Sequence, residues 1–256
     1  MFPGNEIEES SYISPRVNIG TGNYIGHNTV LLGNIDIGDN NYISDSVVIG
    51  RLPQHYTQKY EFKSPSTTNQ NQKIIIGNEN VIREFVSINA PIKNSTKIGH
   101  NNYIMIGSHI AHDCLIENHV TLSSNTILGG YVKILNHAIL GMNSTIHQKT
   151  IIGQYSMIAL GSNINKNIPP FALVHGNPSK FVSLNKVGLE RNNFNKNDIK
   201  NINYFYKNHK SELSKNELDI IKKTAIPIHL KSIFIDFMGH SKNSSRYTLN
   251  MNFHKF

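Results

Sequence analysis

The sequence predicts an all-β parallel β-helix built from hexapeptide repeats, with an α-helical segment at its C-terminal end. Three observations predict it: an aliphatic period of six, turn-forming residues between the aliphatic positions, and the loss of that period after Ile164. The period runs unbroken through Ile98, Ile104, Ile110, Ile116, Leu122, Leu128, Ile134, Leu140, Ile146, Ile152, Ile158 and Ile164. A helix repeats near 3.6 residues and a simple strand near two, so a period of six describes three short strands per superhelical coil. The aliphatic side chains then point inward and stack from coil to coil. Gly and Asn in "IGTGN", "IGHNN" and "IGDNN" suit the positive-φ corners that such a prism requires.

Taken from the N-terminus, the same spacing links Ile13, Ile19 and Ile25, then Ile37, Ile43 and Ile49, then Ile76, Ile82 and Ile88. The offset is expected to shift between these groups, with loops or bulges separating them. Two segments break the period and are expected to leave the prism as loops: Arg51 to Lys73, and the short "NAPIKNSTK" at 89–97. Excursions from a rigid scaffold are favoured places for ligand contacts. The prolines of "NIPPFALVHGNPSKF" are expected to end the coils. Beyond them Ile199, Ile202 and Phe205, then Leu218 and Ile221, are spaced as amphipathic helices. The expected division is a β-helix over 1–186 and a basic α-helical domain over 187–256.

The formal charge of +8, from 25 Lys and Arg against 17 Asp and Glu, is unevenly placed. From Lys186 onward there are 13 basic and 6 acidic residues, against 12 and 11 before it. A solvated helical surface accounts for this, as does a surface that attracts an acidic partner such as a nucleotide diphosphate or an acidic carrier protein. No helix-turn-helix, zinc-finger or RNA-binding signature is present, so nucleic acid is not an expected partner. No stretch approaches the ~20 apolar residues of a membrane span, and the start "MFPGNEIEES" lacks the features of a secretory leader. A soluble, cytoplasmic protein is expected. The single cysteine excludes an internal disulfide, and Cys114 is expected to be a small buried apolar residue rather than a nucleophile.

With three six-residue steps per coil, residues 18 apart stack about 4.8 Å from one another along the prism axis. Asp113 then lies below Tyr131, and Tyr131 below Lys149. His112 lies below Gly130, which leaves the space above it open. His109, His112, Tyr131, His147 and Gln148 gather on one part of the surface. Counted from the inward Ile110, His112 and Asp113 fall near a corner that a substrate can reach. The adjacent carboxylate can orient the His112 ring and stabilise its charged form.

Within hexapeptide coils, "SHIAHDC" resembles the active-site segment of the UDP-N-acetylglucosamine O-acyltransferase family, which uses acyl carrier protein thioesters and begins lipid A synthesis. "IREFVSI", "LGGYV", "GMNSTIHQ" and "PPFALVHGNPSKFVSLNKVGLER" resemble further family motifs, and "FIDFMGHSKNSSR" sits where the family ends its helical domain. The resemblance extends over nearly the whole chain and implies a left-handed β-helix, a homotrimer and no bound cofactor or metal. It implies His112 as general base, Asp113 as the group that holds and polarises it, and the Gly130 N–H as oxyanion donor. It further implies His109, His147 and Gln148 as sugar-nucleotide contacts, with Tyr131 beside them. Asn185 and Arg191 would reach the substrate from the C-terminal part, and Lys59 from the first excursion. Met157 and Leu160 match positions in the acyl-chain groove, where Leu160 would shorten the accepted chain.

Some positions depart from the family. Tyr131 stands where histidine is usual, Glu190 where lysine is, and Asn192 where a second arginine is common; "NAPI" replaces the HRGT segment. These changes touch the sugar-nucleotide pocket and leave room for another acceptor. An N-acyltransferase on a nucleotide-linked amino sugar, for a surface polysaccharide and with coenzyme A or a carrier as donor, therefore stays open. A zinc enzyme like the γ-class carbonic anhydrases, which bind zinc through three histidines at a subunit interface, here His109, His112 and His147, and a non-enzymatic scaffold are the more distant alternatives.

Overall fold

The computed structural model describes residues 3–54, 72–208, 221, 224 and 226–242. Strands β1 (Glu6–Ile7) to β25 (Lys180–Leu184) form a left-handed parallel β-helix with three faces, of ten, eight and seven strands. Each strand up to β24 (Ala172–His175) pairs in parallel with one a coil away. His109–Ile110, for instance, is in register with Ile127–Leu128, and that strand with Thr145–Ile146. The 18-residue stacking expected from the sequence therefore holds along the central coils. Their twelve inward aliphatic residues, Ile98 through Ile164, are at most 3% exposed. A single apolar column runs up the prism axis, and its removal from water is the main favourable term in coil stacking.

Two details differ from expectation in the early coils. Leu31, fully buried, continues the ladder between Ile25 and Ile37, so no offset separates the first two groups. The shifts occur only where the excursions lie, since Ile49 pairs beside Ile88 and Ile88 beside Ile110. The first excursion falls mostly on 55–71, outside the described residues. The second is shorter than 89–97, because Asn89 still belongs to the strand Ser87–Asn89 and Thr96 already opens Thr96–Ile98.

The corners also differ in composition. From residue 101 to 161 every sixth residue has positive φ, yet Asp113, His119, Tyr131, His137, Lys149 and Tyr155 occupy such positions beside the expected Gly and Asn. Side-chain stacking between coils offsets part of the strain of these left-handed conformations, as the ladder described below shows.

Pro169 and Pro170 do not end the coils. Ile168 bridges Ile152, and strand β24 (Ala172–His175) still pairs in parallel with β22 (Met157–Ile158). The reversal comes at β25, which returns antiparallel to β24. Helices α1 (Lys186–Arg191), α2 (Lys196–Asn208) and α3 (Ile228–Ser241) follow. Ile202, Phe205 and Tyr206 of α2 are buried, with Ile199 partly buried against the same cluster, and α3 buries Leu230, Phe234 and Phe237. Ile221 is buried too, while Leu218 lies outside the described residues. The Tyr206 hydroxyl donates to the Pro170 carbonyl at 2.7 Å, and Phe234 packs edge-on against Phe171 at 5.5 Å. The helices thus cap the last coil and cover its apolar end. Among the described residues no helix is long and apolar enough to cross a membrane.

Candidate active site

The eight-stranded face carries β14 (His109–Ile110), β17 (Ile127–Leu128), β20 (Thr145–Ile146) and β23 (Asn163–Ile164) in adjacent coils. A cleft of about 700 Å³ opens on this face, and His109, His112, Gly130, His147 and Gln148 line it. His112 follows β14 at the corner, where Asp113 adopts φ 60°. That turn brings the His112 Nδ1 to 2.9 Å from Asp113 Oδ2. An ionised Asp113 fixes the tautomer in which Nδ1–H donates, which leaves the Nε2 lone pair to act as a base.

The Asp113 side chain is fully buried, and the second excursion surrounds it. The N–H groups of Ile92, Lys93 and Asn94 donate to its carboxylate at 2.9, 3.0 and 2.6 Å. Burial opposes its ionisation, but the bonds from Asn94, Ile92, His112 and Lys93 outweigh that and hold its pKa below the ordinary value. The excursion therefore does not offer a loop to the ligand at this point; it wraps the carboxylate that orients His112.

Gly130 stands one coil above His112. A Cβ at this position would lie 2.5 Å from His112 Cε1 and 2.6 Å from Nε2, so the imidazole occupies the space that the missing side chain leaves. The Gly130 N–H has no hydrogen-bond partner among the described residues. Tyr131, at φ 62°, meets the His112 ring edge-on at 5.1 Å. Burial and the nearby Asp113 carboxylate push its hydroxyl pKa up.

His109 Nδ1 shares a hydrogen bond of 2.8 Å with Ser87 Oγ, and burial pushes its pKa down. Cys114 behaves as a core residue: burial pushes its thiol up to about 12, and Sγ donates to the Gly129 carbonyl. Among the described residues of one chain, His109, His112 and His147 do not bring three ring nitrogens within ligating distance of one another.

Four expected residues lie away from this cleft within one chain. Asn185 caps α1, its Oδ1 accepting from the Gly188 N–H and its Nδ2 donating to the Tyr155 carbonyl. Arg191 is exposed at the end of that helix. Met157 lies on the ten-stranded face, and Leu160 is 65% exposed beyond it. Lys59 lies outside the described residues.

The cleft also contains residues that the sequence reading did not single out. Asn163 and Asn89 line it, and Asn89 buries its Oδ1 with no partner among the described residues. Asn163 could have been found by stacking, being 18 residues past Thr145. Asn89 could not, because the second excursion breaks the count.

Comparison with known proteins places the chain in a family. Residues 95–130 match the bacterial transferase hexapeptide repeat, and 167–246 match the second domain of UDP-N-acetylglucosamine O-acyltransferase. An acyl-(acyl-carrier-protein)-UDP-N-acetylglucosamine O-acyltransferase of Synechocystis is 39% identical over 126 residues, a match spanning about half of each chain at 48% and 46%. The enzyme of that name from Syntrophobacter fumaroxidans is 34% identical over 244 residues, 92% of this chain and 90% of that one. The UDP-N-acetylglucosamine acyltransferase structure from Francisella novicida superposes with a TM-score of 0.68 at 31% identity, over 96% of this chain and 90% of that one. The one from Bacteroides fragilis gives 0.76 at 29% identity, over 95% and 99%. Repeat, C-terminal helices and near-full-length similarity agree, and the chain belongs to the acyl-(acyl-carrier-protein)-UDP-N-acetylglucosamine O-acyltransferase family.

Proposed function

We propose that this chain moves an acyl group from an acyl carrier protein thioester to the 3-hydroxyl of UDP-N-acetylglucosamine, in lipid A biosynthesis. One observation carries the chemistry: the buried Asp113 carboxylate holds His112 through Nδ1, on the wall of a cleft where Gly130 makes room for the ring. His112 Nε2 takes the acceptor hydroxyl proton as the oxygen attacks the thioester carbonyl. The Gly130 N–H donates to the oxyanion of the tetrahedral intermediate. As that intermediate collapses the C–S bond breaks, and the departing thiolate receives the proton from the imidazolium. Asp113 stays ionised throughout and stabilises the imidazolium.

His109, His147 and Gln148 contact the sugar nucleotide from the cleft wall, with Tyr131 supporting the base. Lys59 reaches it from the first excursion. Asn185 and Arg191 act in a homotrimer, where the C-terminal segment of one chain completes the cleft of the next, Arg191 meeting phosphate. Large exposed apolar side chains on the prism, Ile127 at 46%, Met142 at 51% and Leu160 at 65%, favour such packing.

The second reading, N-acylation of a nucleotide-linked amino sugar, is favoured by Tyr131 in the catalytic corner. The two separate in one assay. Acyl carrier protein and coenzyme A thioesters are each paired with hydroxyl and amino sugar nucleotides, and the product is identified by mass spectrometry. An ester from the carrier thioester is expected, with turnover of His112→Ala lower by about 10² or more. An amide product formed at near-normal rate by His112→Ala would sink the O-acyl reading, since a free amine needs no base.

A further inference from the structure

Away from the cleft, at the seam between the seven-stranded face and α3, three side chains turn metal-ligating atoms toward one another. Glu117 follows the strand Leu115–Ile116, while Asp236 and His240 lie four residues apart on one face of α3. His240 Nε2 is 3.5 Å from Glu117 Oε1 and 3.8 Å from Asp236 Oδ1. The ligand atoms of all three lie within 4.8 Å of one another. Tetrahedral zinc, with bonds of about 2.0–2.2 Å, holds neighbouring ligand atoms roughly 3.3–3.6 Å apart. Small side-chain adjustments bring this set to that spacing.

The second oxygen of each carboxylate is already engaged. Glu117 Oε2 accepts the Asn136 N–H at 3.0 Å, and Asp236 Oδ2 accepts from the Gln154 side-chain amide. Such outer bonds are what orient ligating carboxylates around a metal. Gln154 supplies the independent sign of a ligand. It is 4% exposed, its amide reaches the cluster, and its Oε1 is buried without a partner among the described residues. A buried acceptor without a donor is costly. Here it stands beside the Asp236 carboxylate of the cluster.

We propose that Glu117, Asp236 and His240 form a divalent-cation site of the zinc type that fastens helix α3 to the β-helix. A water in the fourth position gives Gln154 Oε1 its missing donor. One imidazole with two carboxylates suits a borderline cation, whereas magnesium and calcium favour all-oxygen shells. The site joins two elements that also meet through the packing of Phe237 with Leu135 and Ile151 and through the Gln154 amide, so its role is structural.

The test titrates EDTA-treated full-length protein with Zn²⁺ by calorimetry, with thermal unfolding read in parallel. One zinc per chain and a zinc-dependent rise in Tm are expected. Glu117→Gln and His240→Gln each weaken binding about tenfold or more and abolish the Tm rise, while His112→Ala, in the cleft, keeps both. Equal affinity in wild type and Glu117→Gln overturns the proposal, as does a site lost in His112→Ala but kept in His240→Gln. Absence of zinc binding in wild type also overturns it and leaves the direct contacts of His240 with Glu117 and Asp236 as the bond at this seam. If His240→Gln fails to fold, the isosteric Glu117→Gln decides.

Discussion

Asp113 serves two purposes at one corner: it orients His112, and it gathers the N–H groups of residues 92–94. The first purpose can be read from "HD" and the 18-residue stacking. The second cannot, because backbone donors carry no residue code. Gly130 permits a sharper test of His112 than deletion does. A Cβ there collides with the imidazole, and the conformation is open to L-residues because its φ is not positive. Gly130→Ala should therefore leave the fold intact and push the ring from its place. Turnover is expected to fall by about 10² or more, the scale of a lost general base. Normal kcat in a folded Gly130→Ala protein would show that the ring position seen here is not the catalytic one.

Among the elements, one corner of the prism carries a stack of rings. His119, His137 and Tyr155 lie parallel at 4.7 and 4.6 Å, and Phe171 continues the column at 5.9 Å. All four residues have φ between 57° and 65°, so ring contact holds a row of left-handed corners. Burial first, and His119 second, hold the His137 pKa below its ordinary 6.5. The folded protein thus binds this proton less readily than the unfolded chain. The stability that His137 contributes is present above pH 6.5 and is lost as the pH falls through that value toward the lowered one. His137→Phe, which keeps the stack and removes the titration, should make Tm fall less between pH 8 and pH 5.5 than it does in wild type. Some slope remains, since burial lowers His109 as well. Identical slopes in the two proteins would remove the ladder as a source of acid sensitivity.

For the whole molecule, Met157 and Leu160 bear on chain-length selection through assembly. Leu160 projects from a single prism, so it can bound an acyl groove only where a neighbouring prism covers it. The proposed homotrimer, about three times 28.8 kDa, would meet that need and would bring Arg191 to a neighbouring cleft. If Leu160 closes the groove, its side chain excludes longer acyl groups with discrimination of about 1–3 kcal/mol per methylene. Leu160→Gly should then move the optimum of kcat/KM, measured over a series of acyl thioesters, toward longer chains. An unchanged optimum in a trimer verified by light scattering would take Leu160 out of the acyl pocket.

The sequence by itself determined the prism, its 18-residue register, the inward ladder and the meeting of His112 with Gly130. Each follows from a local period that repeats without interruption, so counting replaces coordinates. It also marked Cys114 as core and the C-terminal segment as helical. It read the Gly and Asn corners, as Gly22, Asn40 and Asn101 show, and missed that His, Tyr and Lys also stand at positive φ, because the coil above supplies contacts that no single hexapeptide contains. It placed the end of the coils too early, because Pro169 and Pro170 fit a corner where Ile168 still bridges Ile152. Tertiary structure alone decided how residues 92–94 close on Asp113, and how α3 meets Glu117 across more than 100 residues of chain. Contacts at that separation depend on how excursions and helices fold back on the prism, where no repeat sets the distance.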